Sequence, residues 1–588
     1  MMSNSPPPAP NHAGSRLSKL KRPIWGAAAL VSLFGVVIGA NFAFGDASSA
    51  YLPAPIAASP GAYPMMPKPD IKGMSPQQAA VVQRGEYLAT AADCMPCHTA
   101  PGAKSFTGGL SVVTPFGTLY SPNITPDKAT GIGKWTGKQF WNALHYGTAP
   151  GHSLLVFPKF LYPAMPYTSY SKLSKPDVLA IKAYLDAIPA IDAPHVPNKL
   201  MFPFNIRAML LGWRILFFRA HPVHYAKGWS PAVRNGAYIA QALAHCTECH
   251  SPRNLLFAVK SDETLAGGQI VGESWFAPNI SSSKRYGIGG WNRADLVAYL
   301  HNSGNMRRGS AFGPMKAVVD YSLSQLPKSD IEDLAAYLQT ATPPRRTAFK
   351  ASAKNATIAQ GAALYARNCA ACHQPGGEGV MGVFPNLKGN QAAWGGPPDD
   401  VISAVLAGLP PWHANGPAMP AFGSILDDHR IAAVTNYVRT AWSNPGAADA
   451  TAAKVLALRA TAPPHDVAVA DADFLDPPPV ASAAARRLQC PLLTDTLIGP
   501  GSGWMQIMRG ATPATLPNRA RMLVAALRKT DPAISDNQAS NYLLTAYCPV
   551  VAEQSGMSLA AKKAALARFM QSARSMLAQT QAGAKQGS

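Results

Sequence analysis

Acidic residues are in short supply in this 588-residue chain: 31 Asp and Glu stand against 52 Lys and Arg, for a net charge of +21. That balance excludes an acidic, self-repelling chain and points toward anionic partners. No nucleic-acid-binding motif accompanies it, which leaves an anionic membrane surface or an acidic protein. Long apolar runs are equally scarce, and only residues 23–45 reach the roughly 20 residues of a bilayer-spanning helix. Flavin, nicotinamide and quinoprotein motifs are absent, so oxidation of an organic substrate by this polypeptide alone is not expected. Cysteine is rare too, with eight in all, and their placement is the most informative feature of the chain.

Six of the eight fall in three pentapeptides: Cys94-Met-Pro-Cys97-His98, Cys246-Thr-Glu-Cys249-His250 and Cys369-Ala-Ala-Cys372-His373. Two thiols at C-x-x-C spacing reach the two vinyl groups of a haem, and the adjoining histidine reaches the iron. One such motif arises by chance or serves zinc or redox chemistry. Three, in three similar surroundings, read as covalent attachment of three c-type haems. Attachment of this kind belongs to an exported, oxidising compartment, where Cys490 and Cys548 can pair as a disulfide.

The segments around the motifs repeat. Gly85-Glu-Tyr87, Gly236-Ala-Tyr238 and Gly361-Ala-Ala-Leu-Tyr365 open short apolar helices that lead into them. Ser174 to Asp177, Lys328 to Asp330 and Asp427-Asp428 read as amino-terminal caps of closing helices that carry Tyr184, Tyr337 and Tyr437, each expected to pack on the first helix. The first two segments also share Pro122-Asn-Ile-Thr125 with Gly131 to Trp135, matched by Pro278-Asn-Ile-Ser281 with Gly287 to Trp291. That match suggests a duplication. The expected fold is mainly α, with three tandem class I cytochrome c domains at 77–200, 225–345 and 352–445. A polar arm (1–22), a transmembrane anchor or cleaved signal (23–45) and a linker (46–76) precede them. An amphipathic linker helix (201–224) joins the first two domains. A second linker (446–480) and a helical segment (481–588) holding the Cys490–Cys548 pair follow the third.

Iron held by His98, His250 and His373 needs a sixth ligand, and a methionine sulfur both raises the potential and closes the metal. Met165 and Met419 each sit in Pro-Ala-Met-Pro, where proline stiffens the loop. Met315, in Gly313-Pro-Met-Lys316, is the choice for the second segment, with Met306 as a competitor. His145, His152, His245 and His413 lie near the motifs but are read as ordinary polar residues. The aromatic connector Met201 to Val223 is too charged to span a bilayer. It reads first as an interdomain helix and second as an interfacial helix or part of a quinone pocket. Leu559 to Leu577 reads as an amphipathic helix with Lys562, Lys563, Arg568 and Arg574 on a solvated face. Arg16, Lys19, Lys21 and Arg22 before the apolar run hold the amino terminus in the cytoplasm and send the bulk to the periplasmic side.

From Gly85 to Trp442 the sequence resembles the three-haem cytochrome c subunit of membrane-bound dehydrogenases of acetic acid bacteria and related proteobacteria. The three motifs, Asn123-Ile-Thr-Pro-Asp127, Tyr162-Pro-Ala-Met165, the Phe202-Pro-Phe204 connector and the Met419 loop carry the likeness. It implies a subunit that takes electrons from a separate quinoprotein, flavoprotein or molybdenum dehydrogenase and passes them to ubiquinone in the cytoplasmic membrane. Family members generally have a cleaved signal and a carboxy-terminal membrane attachment. This chain departs from them in its long amino-terminal run and its extra two-cysteine segment. Two rival readings remain: a stand-alone shuttle to a terminal oxidase, and a haem enzyme with one open iron.

Overall fold

The computed structural model describes residues 64–343, 358–460 and 508–585, less residues 155, 255, 306, 307, 381, 382, 411–417, 424, 425, 509, 510, 513, 531–535 and 553. The expected arm and anchor, Met306, His413 and Cys490 therefore lie outside the described residues. Among those described, no helix is long and apolar enough to cross a membrane. The chain is mainly helical, with short antiparallel pairs of strands between the helices.

In the first segment, α1 (Pro76–Ala91) starts from a capping box in which Ser75 and Gln78 satisfy each other's backbone N–H groups. Strands β1 (Ser111–Thr114) and β2 (Gly117–Tyr120), helix α2 (Gly137–Tyr146), and strands β3 (Thr148–His152) and β4 (Pro158–Phe160) follow. Helix α3 (Lys175–Asp186), capped by Ser174, packs along α1, and β5 (Lys199–Leu200) then completes a sheet in the order β1-β2-β5. The connector is helical only over α4 (Leu210–Phe217) and the single 3-10 turn before it, much less than a helix over 201–224.

The second segment repeats this plan with α5 (Pro231–Tyr238), α6 (Arg293–Asn302), α7 (Pro314–Tyr321) and α8 (Lys328–Thr340). The third has α9 (Ile358–Asn368), α10 (Asp399–Ala407) and α11 (Asp428–Thr440). Capping is only partly as expected: Asp427 caps α11 through Arg430 N–H, whereas α8 starts at Lys328 and takes Ser329 into its first turn, with no side-chain cap. Residues read as linker from 446 include α12 (Ala452–Arg459), whose Val455 and Leu458 are buried in the core of the third segment.

One device builds all three segments. The glycine opening each repeat lies where the first and last helices cross, and a Cβ there would meet a helix carbonyl. The separations would be 1.9 Å from Ala180 O at Gly85, 1.9 Å from Asp333 O at Gly236 and 2.1 Å from Ala433 O at Gly361. Only a residue without Cβ lets these backbones touch. The recurring tyrosines pack as expected: Tyr184 and Tyr337 are buried, and the Tyr437 ring lies 5.3 Å from that of Tyr365.

Segments one and two share one apolar core and a reciprocal interface. Tyr87 Oη donates to Asp330 Oδ2 at 2.7 Å, and Tyr238 Oη, at the matching position, donates to Asp177 Oδ2 at 2.6 Å. Each segment's first helix thus grips the other's closing helix, as a duplication predicts. The second segment has one more residue between its tyrosine and its first cysteine, and Ile239–Leu243 absorb it as a π-helical turn. Further along, α13 (Leu516–Thr530), α14 (Asp536–Ala552) and α15 (Leu559–Lys585) form a core with Val380, Val383 and Phe384. Cys548 is buried there in a disulfide. Two of the lysines read as solvated are engaged: Lys562 Nζ donates to Ala552 O and Lys563 Nζ to Glu378.

Candidate functional site

Each pentapeptide sits directly after its first helix. In the first two segments the helix breaks at the residue before the first cysteine, where Asp93 and His245 adopt positive φ of 51° and 39° and turn the motif out of the helix line. None of the six motif cysteines is paired in a disulfide. Cys97 is exposed, yet the surrounding protein desolvates its thiol and raises its pKa first, and Asp93, Cys94 and Cys249 add to this. The first and second motifs are therefore electrostatic neighbours across the reciprocal interface.

The three histidines are held alike. His98 Nδ1 meets Pro122 O at 2.9 Å, His250 Nδ1 meets Pro278 O at 2.7 Å and His373 Nδ1 meets Pro385 O at 2.9 Å. The carbonyl fixes the proton on Nδ1 and leaves Nε2 as a neutral lone-pair donor, the form a metal takes. Burial lowers the pKa of all three rings and keeps them uncharged. The prolines stand 24, 28 and 12 residues beyond their histidines, so spacing hides the relation. The signal in the sequence is a Pro-Asn pair, present each time as Pro122-Asn123, Pro278-Asn279 and Pro385-Asn386.

The expected methionines lie on the cores these helices enclose. Met165 and Met315 are half-buried against the core shared by the first two segments, and Met419 against one core of the third. Met165 is fixed by its backbone, its N–H donating to Tyr162 O and its carbonyl accepting from Tyr167 N–H. Met419 exchanges both backbone hydrogen bonds with Leu409. Met315 sits in the first turn of α7 behind Gly313, whose φ of 53° lets it lie against the Trp275 ring. Lys316 Nζ donates to both Asp320 carboxylate oxygens, at 3.1 and 2.9 Å. Of the nearby histidines, His145 stacks on Trp141 at 4.1 Å and His152 is exposed on β3, whereas His245 is half-buried, its buried Nε2 without a hydrogen-bond partner.

Sequence reasoning missed a clamp between the segments. Glu248, inside the second pentapeptide, accepts from Ser169 Oγ at 3.0 Å and Thr168 Oγ1, both just past Met165, and from Arg253 at 2.9 Å. Burial opposes its ionisation, but Arg253 and the Thr168 hydroxyl outweigh this and hold it below the usual carboxylate range. The donor set fits a c-type haem: two cysteines outside any disulfide, a histidine whose Nδ1 is tied to a carbonyl so that Nε2 is presented, and a half-buried thioether.

Comparison with known proteins agrees. The cytochrome c family matches residues 358–442. The cytochrome c subunit of the quinone-linked alcohol dehydrogenase of Gluconacetobacter polyoxogenes is 34% identical over 410 residues, covering 66% of this chain and 86% of that one. The chain belongs to the cytochrome c subunits of dehydrogenases. The fructose dehydrogenase cytochrome subunit of Gluconobacter japonicus is 36% identical over 395 residues, 62% of this chain and 79% of the relative. The gluconate 2-dehydrogenase cytochrome c subunit of Pantoea cypripedii is 35% identical over 402 residues, 65% and 90%. Haem c and electron transfer follow from that membership. In this cytochrome subunit the prolyl carbonyls orient the histidines.

Proposed function

We propose that this subunit carries three covalent c haems in three cytochrome c domains and relays electrons from a partner dehydrogenase to ubiquinone in the cytoplasmic membrane. Its bulk would lie on the periplasmic side. Cys94 and Cys97, Cys246 and Cys249, and Cys369 and Cys372 would hold the haems. His98, His250 and His373, together with Met165, Met315 and Met419, would ligate the irons. The reading rests on one observation, the threefold recurrence of a histidine whose Nδ1 is tied to a prolyl carbonyl. Bound haem supplies one-electron redox chemistry; the chain's part is to fix ligand geometry, exclude water and keep each imidazole neutral. Thioether sulfur as a ligand would favour the reduced state. The shared core and the Glu248 clamp give the first two sites a rigid relation, which serves transfer between them.

Purification from native membranes in mild detergent tests this. A stoichiometric dehydrogenase, substrate-dependent reduction of the haems and quinone reductase activity are expected. A cytochrome arriving alone or with an oxidase would overturn the dehydrogenase role in favour of a shuttle.

A further inference from the structure

Helix α4 is built inside out. Leu211 and Ile215 lie one helical turn apart on its outer side with Leu216 beside them, and Ile215 and Leu216 are 57% and 68% exposed. Its one cation, Arg214, is turned inward over the rings of Phe160 at 4.8 Å, Phe218 at 4.9 Å and Tyr167 at 5.5 Å. A surface helix in water does the reverse, turning its aliphatic residues to the core and its charge to solvent. Beside it Phe202 is 71% exposed. Hairpin β3–β4 is tied to the same connector by Arg207, which donates to Phe160 O at 2.8 Å, and its tip carries Val156, 82% exposed. Clustered exposed aliphatic and aromatic side chains mark a surface covered in use.

Charge decides what covers it. Between Asp192 and Glu248 the chain has no acidic residue but six lysines and arginines, and between Asp127 and Asp177, the stretch that carries the hairpin, it again has none. The two stretches of chain that carry the patch are thus basic. The apolar side chains stand exposed, as side chains that enter acyl chains do. Eight residues cannot span a bilayer, being about 12 Å long as a helix, so the helix would lie flat.

We propose that α4, with Phe202 and the hairpin tip, is a monolayer-docking surface for anionic lipid, independent of any anchor near the amino terminus. The proposal deepens the membrane reading above and rests on it. Docking would hold the first two haem sites at the lipid–water boundary, within reach of a quinone in the bilayer.

The test is site-directed spin labelling of the full-length holoprotein in vesicles, since the motif cysteines are consumed by haem. Labels go on Ile215→Cys and Leu216→Cys, with Leu456→Cys, 59% exposed on the third segment, as control. In phosphatidylglycerol-containing vesicles, accessibility to oxygen relative to a water-soluble nickel complex should rise severalfold at 215 and 216 and stay unchanged at 456. Vesicles of phosphatidylcholine alone should weaken the effect. Labels at 215 and 216 that stay in water, or that become shielded only when the dehydrogenase is added, would overturn the lipid surface. Shielding in phosphatidylcholine alone as strong as with phosphatidylglycerol would overturn its anionic selectivity. The readout does not use electron transfer, so failure of the relay reading would show separately, in the copurification.

Discussion

Gly85→Ala is the sharpest perturbation the fold offers. The added Cβ would lie 1.9 Å from Ala180 O and 2.8 Å from Tyr184 Cβ, about 1 Å inside the 3.0 Å that real Cβ atoms respect at the first of these. The obstacle is helix backbone, so relief requires α1 and α3 to move apart and the buried Tyr184 with them. Overpacking at such a crossing costs up to about 3 kcal/mol. Alanine returns about 1 kcal/mol of helix preference over glycine. The net loss is about 2 kcal/mol, a shift of about 30-fold in the folding equilibrium. Gly212, within α4, is an internal control because nothing lies within 4 Å of its Cβ position. Gly212→Ala should therefore stabilise by about 0.5–1 kcal/mol. Denaturant unfolding of both holoproteins in detergent, followed by helix signal and haem absorbance, gives the two values. A Gly85→Ala protein as stable as the original, or equal losses at both positions, would refute the crossing argument.

Tyr87→Phe and Tyr238→Phe each remove a phenol-to-carboxylate bond across the reciprocal interface, and each should cost about 1–2 kcal/mol by the same unfolding assay. Glu273 is pushed up to about 8 by burial alone, against an ordinary 4.5. The folded state thus binds its proton more tightly than the unfolded one, so this group's contribution is complete below about 4.5 and is lost as pH rises toward 8. Glu273→Gln should flatten that alkaline decline in a pH series of melting curves. Val383 is fully buried between the third segment and the carboxy-terminal helices. Val383→Ala should cost about 2 kcal/mol and speed proteolytic release of those helices, with no change at the first two motifs.

Much of the site was legible because its chemistry is local. Two thiols and a histidine must be near neighbours in sequence, and so the pentapeptides announce themselves. The opening glycines and closing tyrosines were visible as repeats, although the reason for glycine, contact with a carbonyl some 70 to 100 residues away, exists only in three dimensions. Pro122, Pro278 and Pro385 act through their backbone carbonyls, and only the recurring Pro-Asn pair marks them in the sequence. Helix α4 was visible as an apolar segment, but its orientation was not. Periodicity locates a stripe; only packing, here Arg214 beneath three aromatic rings, tells which side faces out. Capping misled at α8 because Ser329 could serve as a cap or as a first-turn residue, and the helix begins one residue earlier, at Lys328.

The central claim is that three equivalent sites each hold a haem. Pyridine haemochrome quantification against protein concentration, paired with mass analysis of the peptides bearing Cys94, Cys246 and Cys369, tests it most directly. The account predicts three haems per chain, with the haem mass added to each of the three peptides. Fewer than three per chain, or any one motif peptide recovered without haem from the native membrane protein, would contradict it.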